Sequence, residues 1–96
     1  MKKVLFICLG NICRSPTAEG IFKKLIVENG LENEISCDSA GTSAYHQGSP
    51  ADSRMQAAAM DKGYKLESLS RPFIVEDFER FDYLITMDES NYRDVI

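Results

Sequence analysis

Tryptophan is absent from this 96-residue chain, histidine occurs once (His46), and there are only three prolines and three cysteines, Cys8, Cys13 and Cys37. An odd cysteine count does not make the disulfide framework of a small secreted domain, so reduced thiols and a cytoplasmic setting are expected. No apolar run approaches the roughly 20 residues that span a bilayer, and Met1-Lys2-Lys3 leads straight into an apolar stretch with no small-residue cleavage site. Neither a membrane partner nor a processed leader is expected. Basic residues are in the minority, 11 Lys and Arg against 15 Asp and Glu. The net charge of −4 argues against a nucleic-acid partner. The Gly-x₄-Gly-Lys-Ser/Thr phosphate loop of nucleotide-binding proteins is missing. A metal site from Cys8, Cys13, Cys37 and His46 is set aside, because no cysteine pair is followed by a second pair at structural-zinc spacing. No metal and no cofactor is expected. Repeats, linkers and low-complexity tracts are absent too, which leaves one small domain over residues 1–96.

What is present is concentrated in Val4 to Pro16, Val-Leu-Phe-Ile-Cys-Leu-Gly-Asn-Ile-Cys-Arg-Ser-Pro. Val4 to Ile7 read as a buried strand that stops at Cys8. Six residues on come Arg14, then Ser15 as a helix N-cap and Pro16 at the first helical position. Strand, short loop and helix start together make an anion cradle. A helix start offers unpaired N–H groups and the positive end of its dipole, and Gly10 and Asn11 tolerate the left-handed backbone such a loop needs. Arg14 adds a planar fork suited to two phosphate oxygens. Cys8 is placed at the floor of the cradle. Helix N-termini and cations favour thiolates in general, so the groups that hold an anion would also activate the sulfur. A lone cysteine at a strand end is more often a packed residue. Here the glycine, the arginine and the Ser-Pro helix start have to be explained with it, and the nucleophile is the better reading.

Further along, Ala18, Ile21, Phe22, Leu25 and Ile26 recur at helical spacing as far as Gly30, and Glu34 to Ser39 is a short second strand with Cys37 in or beside the core. Ala40 to Pro50 reads as a surface loop at the same end of the sheet as Cys8. Ser49-Pro50 opens a second helix that closes at Gly63 with an alanine-rich packing face, Tyr64 to Pro72 is irregular, and Ile74 to Phe81 makes a short helical turn. Tyr83 to Met87 reads as a third buried strand, and Asp88 caps a helix from Glu89 that is cut off at Ile96. Cys8 and Cys13, with four residues between them, suggest a reversible protective disulfide; the alternative is that Cys13 is a packed loop residue.

The run Cys8-Leu-Gly-Asn-Ile-Cys-Arg-Ser-Pro16 resembles the active-site signature of the low-molecular-weight protein tyrosine phosphatases. The likeness continues in Asp38-Ser-Ala-Gly-Thr42, in Tyr45-His-Gln-Gly48 with Asp52-Ser-Arg54, and in Asp77-Phe78, Phe81-Asp-Tyr83 and Met87-Asp88. It implies a three-layer α/β fold with a central parallel sheet of flavodoxin-like or Rossmann-like order 2-1-3, incomplete at the C-terminus. It also implies hydrolysis of phosphotyrosine through a phosphocysteine on Cys8. Arg14 and the N–H groups of Leu9, Gly10, Asn11, Ile12, Cys13 and Arg14 would hold the phosphoryl oxygens, and a free phosphate or sulfate ion suits the same loop. By the same resemblance Ser15 stabilises the thiolate, Asn11 and Ser39 support the loop, and Ile12 and Tyr45 wall a slot for a phosphotyrosine protein or a small aryl phosphate. Related phosphoarginine phosphatases carry threonine where this chain has Ile12, so isoleucine favours phosphotyrosine.

Two departures stand out. Ser68 occupies the place of a histidine that commonly belongs to the family's loop-supporting network. The family's general acid, an aspartate, lies beyond position 96 with a fourth strand and a closing helix. A site lacking that acid is expected to lose about 10²–10⁴ in rate, and neither Asp52 nor Asp88 is put forward for the role. The rival readings are an arsenate reductase of the same fold, which needs further cysteines that Tyr64 to Ile96 does not contain, and a catalytically silent phosphate-binding module.

Overall fold

The computed structural model describes residues 1–43 and 46–95. Its elements run β1 (Lys2–Cys8), α1 (Arg14–Glu28), β2 (Ile35–Gly41), α2 (Ser53–Asp61), α3 (Asp77–Arg80), β3 (Tyr83–Thr86) and α4 (Glu89–Val95). The sheet is parallel with order β2-β1-β3. Lys2 pairs with Ile35 and Cys8 with Gly41 on one side, and Val4 pairs with Tyr83 and Ile7 with Thr86 on the other. A parallel sheet needs crossover connections that cover its faces, which explains why β1, at its centre, is an unbroken apolar run.

Alternation along β1 splits the core in two. Leu5 and Ile7, both fully buried, pack with Ala40, Phe73, Phe81, Leu84 and Val95. Phe6 points to the opposite face and meets Phe22 of α1 edge-to-face at 5.7 Å between centroids. Because α1 leads from β1 to β2, it packs on those two strands.

The third strand forms where it is expected, over Tyr83–Thr86. Tyr83 and Ile85, the register partners of Val4 and Phe6, are 55% and 42% exposed. Leu25, expected on the packing face of α1, is exposed as well, while Glu19 of that helix is buried. The second strand starts one residue later than expected and runs on to Gly41. The second helix starts later too. Asp52 is its N-cap, accepting from the Met55 N–H at 3.2 Å, while Pro50 is bridged to Leu69 in an antiparallel contact. Of the alanine-rich stretch in α2 only Ala59 is buried, packed with Ala51 and Leu66. Among the described residues no helix is long and apolar enough to cross a membrane.

Candidate active site

Residues 9–13 leave the C-terminal end of β1 and turn at once into α1. Their course is set by where the carbonyls go. Cys8 O accepts from Thr42 N–H (2.9 Å), Leu9 O from Ser43 N–H (3.0 Å), Gly10 O from the Ser70 hydroxyl (2.8 Å) and Ile12 O from Asp52 N–H (2.6 Å). Cys13 O accepts from the hydroxyl and N–H of Thr17. In a trans peptide the C=O and the following N–H point in opposite directions. The N–H groups of Leu9, Gly10, Asn11, Cys13 and Arg14 are therefore turned away from these partners, to the side around which the loop curls.

The left-handed residue of the loop is Asn11, at φ 56°; Gly10, the other candidate, lies outside that region. At Gly10 a Cβ would come to 2.9 Å from the His46 ring, a side-chain contact. Gly41, at the end of β2, is held to glycine more strictly, because its Cβ would meet Leu9 O at 2.8 Å and Asn11 N at 3.1 Å. The loop thus folds directly over the end of the neighbouring strand.

Beneath it lies a buried polar network. Cys8 Sγ, buried, is 3.0 Å from Ser15 Oγ. Asn11 Nδ2 donates to Ser15 Oγ (2.8 Å) and to Ser39 Oγ (2.9 Å), and Asn11 Oδ1 accepts from the backbone N–H of Arg71 (3.0 Å). Ser15 is not the N-cap its place in the sequence suggests. Helix α1 begins at Arg14 with Cys13 as its cap and no capping side chain. The hydroxyl is used inside the site instead, and Pro16, third in the helix, gives up an N–H that has no intrahelical partner. Arg14 is half-exposed and its Nη2 pairs with Asp88 Oδ2 at 3.0 Å. At the mouth, Leu9, Gly10, Ile12, Ser43 and His46 line a cavity of about 350 Å³.

Comparison with known proteins fits this geometry. The family model of the low molecular weight phosphotyrosine protein phosphatases matches residues 3–96. The chain belongs to that family. It is 47% identical over 95 residues to the low molecular weight phosphotyrosine protein phosphatase of Gallus gallus, covering 99% of this chain and 60% of that protein. A protein tyrosine phosphatase from Entamoeba histolytica, solved with Hepes in its active site, superposes with a TM-score of 0.96 at 49% identity, covering 99% of this chain and 61% of that one. A drosophila arginine phosphatase superposes at 0.93 with 40% identity, covering 99% and 59%. The chain thus spans about 60% of the length of the relatives it matches.

Set in this phosphatase family, the departure at Ser68 is accounted for. Ser68 is half-buried and lines a groove beside α1, and the loop is held instead by two neighbours that the sequence did not single out, the Ser70 hydroxyl and the Arg71 N–H. Arg71 is itself clamped by Asp38 Oδ2 (3.2 Å) and by Asp77 Oδ2 (3.0 Å), a carboxylate with no exposure at all. Burial opposes the Arg71 charge, but the bonds to Asp77 and the charge of Asp38 outweigh it and raise its pKa. His46, which sequence reasoning left as an ordinary loop residue, lines the mouth, whereas Tyr45 lies outside the described residues. Cys13 is exposed, which removes the reading of it as a packed loop residue; Cys8, Cys13 and Cys37 are all free thiols. Asp52 is spent as a helix cap and Asp88 on Arg14, so neither stands as a free carboxyl over the loop.

Proposed function

We propose that the protein hydrolyses phosphotyrosine through a phosphocysteine on Cys8. The observation that carries this reading is the Cys8 thiol 3.0 Å from Ser15 Oγ, under a loop whose carbonyls are tied outward. A phosphoryl group seated over Sγ would meet the outward-turned carbonyls' opposite faces, the N–H groups of Leu9, Gly10, Asn11, Cys13 and Arg14, together with the Arg14 guanidinium. Sγ attacks phosphorus in line, the P–S bond forms as the P–O bond to the aryl oxygen breaks, and water then hydrolyses the phosphocysteine. Ser15, with one N–H of Asn11 already donated to its oxygen, has its own proton left to donate to an attacking sulfur. Asn11 and Ser39 hold the loop in register. The aspartate that protonates the leaving oxygen in the family is expected from the part of the relatives' length that this chain does not span.

Ile12, half-buried on the wall of the mouth, supports an aryl phosphate over a phosphoguanidine, because an apolar side chain offers nothing to pair with guanidine N–H groups. The likeness to an arginine phosphatase keeps phosphoarginine as the second substrate to test. Residues 1–96 are read as belonging to one phosphatase domain, at work in the cytoplasm, where three free thiols stay reduced. Cys8 and Cys13 are read as a redox pair; a loss of 2 Da under mild peroxide is expected, and sulfinic acid on Cys8 instead would exclude the pair.

The test is hydrolysis of p-nitrophenyl phosphate, phosphotyrosine and phosphoarginine peptides by the full-length protein and by Cys8→Ser. Turnover confined to the wild type, with phosphotyrosine preferred, is the expected result. Equal turnover in Cys8→Ser would remove the mechanism, and tight vanadate binding without turnover would leave a phosphate-binding module.

A further inference from the structure

Glu19 is a carboxylate buried on α1, 2% exposed, and the reaction outlined above gives it no part. Its Oε1 accepts from Ser39 Oγ at 2.5 Å and its Oε2 meets Lys23 Nζ at 2.5 Å. Lys23 is on the solvent side of the pair, with 56% of its side chain exposed. The charged and titratable groups facing the pair are Cys37 and Asp38 on β2. Burial works against the charge on Lys23, and the hydrogen bond and charge of Glu19 overcome it and raise its pKa.

The direction of the hydrogen bonds from Glu19 as far as Ser15 can be worked out from donors and acceptors alone. The Arg71 backbone N–H only donates, so the Asn11 atom facing it is Oδ1, and Nδ2 faces the two serines. Both serine oxygens accept from Asn11, and each has one proton to pass on. Ser39 passes its proton to Glu19, and Ser15 has its proton left for Cys8 Sγ once the sulfur is a thiolate, which can only accept. If Ser39 lost its acceptor, its hydroxyl would rotate and stop presenting its oxygen to Nδ2. Asn11, still held by the Arg71 N–H, would be gripped on one side only, and its hold on the Ser15 hydroxyl would loosen.

We infer that Glu19 is a positioning residue for the Cys8 thiol: by taking the Ser39 proton it keeps the Asn11 amide, and through it the Ser15 hydroxyl, aimed at Sγ, with Lys23 as the exposed partner that holds the carboxylate in place. The inference rests on the phosphatase reading only for its effect on turnover, so it is tested on the thiol itself.

The experiment is alkylation of the full-length protein by iodoacetamide at a series of pH values, with Cys8 and Cys13 followed separately by peptide mass and folding followed by thermal melting. In Glu19→Gln, Lys23 is a donor only and claims the amide oxygen, so the amide NH₂ faces Ser39. Cys8 alkylation is expected to slow about tenfold at neutral pH, the scale of a lost hydrogen bond to a charged group, and its pH curve to move upward. Cys13 keeps its rate. In Glu19→Gln/Lys23→Met the amide is free to turn its oxygen to Ser39, and most of the Cys8 rate returns. An unchanged Cys8 rate in Glu19→Gln, or a double variant as slow as the single one, would overturn the inference. Should Glu19→Gln fail to melt cooperatively, Ser39→Ala is compared with Ser39→Ala/Glu19→Gln. These are expected to agree within about twofold because the coupling bond is absent from both, and a tenfold gap between them would count against it. A wild type without aryl phosphatase activity that still shows this alkylation pattern would sink the phosphatase reading and leave the positioning role standing.

Discussion

Arg14 Nη2 and Asp88 Oδ2 lie 3.0 Å apart, which ties the first residue of α1 to the turn between β3 and α4. The guanidinium has five N–H donors in a fixed fork, and a carboxylate on one edge orients the other edge without using it up. Arg14→Lys keeps the charge but loses the fork, and is expected to cost about 10²–10³ in kcat/KM for an aryl phosphate. Asp88→Ala leaves the fork but frees it, and should cost about tenfold, a tether being worth less than the ligand it orients. Steady-state kinetics of the two variants in the full-length protein measures both; Asp88→Ala falling further than Arg14→Lys would show that the ion pair is structural rather than orienting.

Two glycines touch the loop and are expected to respond differently to the same methyl group. At Gly10 the new Cβ would meet the His46 ring at 2.9 Å, a side-chain atom rather than loop backbone. At Gly41 it would meet the carbonyl of Leu9 at 2.8 Å, and backbone in the loop itself would have to move. Gly10→Ala is expected to change phosphate affinity by less than about threefold and to perturb the His46 resonances. Gly41→Ala should displace the loop, weaken vanadate binding by at least about tenfold and lower the melting temperature. Equal effects from the two would contradict this geometry.

Residues 4–16 were legible because several independent constraints coincide in them: an apolar run, a thiol at its end, a glycine, and an arginine before a helix start. The order of the three strands was implied by the family resemblance that this stretch carries, and the sheet has it. What the sequence hid has a common cause, namely that side chains were put to uses their local position does not announce. Ser15 occupies a capping context, and its turn inward to Cys8 was implied by the family resemblance, not by its local position. Ser70 and Arg71 sit in a stretch with no periodicity, and only the fold brings them to Gly10 and Asn11. Glu19 is a charge in a helix and reads as solvated until Ser39 is seen beneath it.

Asp77, with no exposure, is connected to the loop through Arg71. Asp77 accepts from Ile74 N–H at 2.9 Å and from Arg71 at 3.0 and 3.3 Å, with Arg80 at 3.5 Å. Removing one member of such a pair strands the other, so Asp77→Ala is expected to cost about 3 kcal/mol in urea unfolding, the lower end for a buried pair because Arg71 keeps some access to water. The backbone of Arg71 also holds Asn11. Among variants that remain folded, Asp77→Asn should therefore lower kcat more than it raises KM. A variant with unfolding midpoint and kcat both unchanged would show that the clamp contributes to neither.

Cys37 supplies a pH prediction that is independent of catalysis. Burial, reinforced by the charge of Glu19, pushes its thiol from the usual 9.0 up to about 11. In the unfolded chain the thiol ionises first, so between pH 9.0 and about 11 the folded state holds more protons than the unfolded one. Stability rises with pH only where the unfolded state binds more protons; here the sign is reversed. The contribution is complete below pH 9.0 and is lost as pH climbs through about 11. Lys23, whose pKa is also raised, adds a loss of the same sign above its usual 10.5. The melting temperature is accordingly expected to fall across this alkaline window, and to fall less in Cys37→Ala, which has no thiol to ionise. Melting curves of wild type and variant from neutral pH upward decide it, and parallel curves would mean that Cys37 ionises as freely in the fold as out of it.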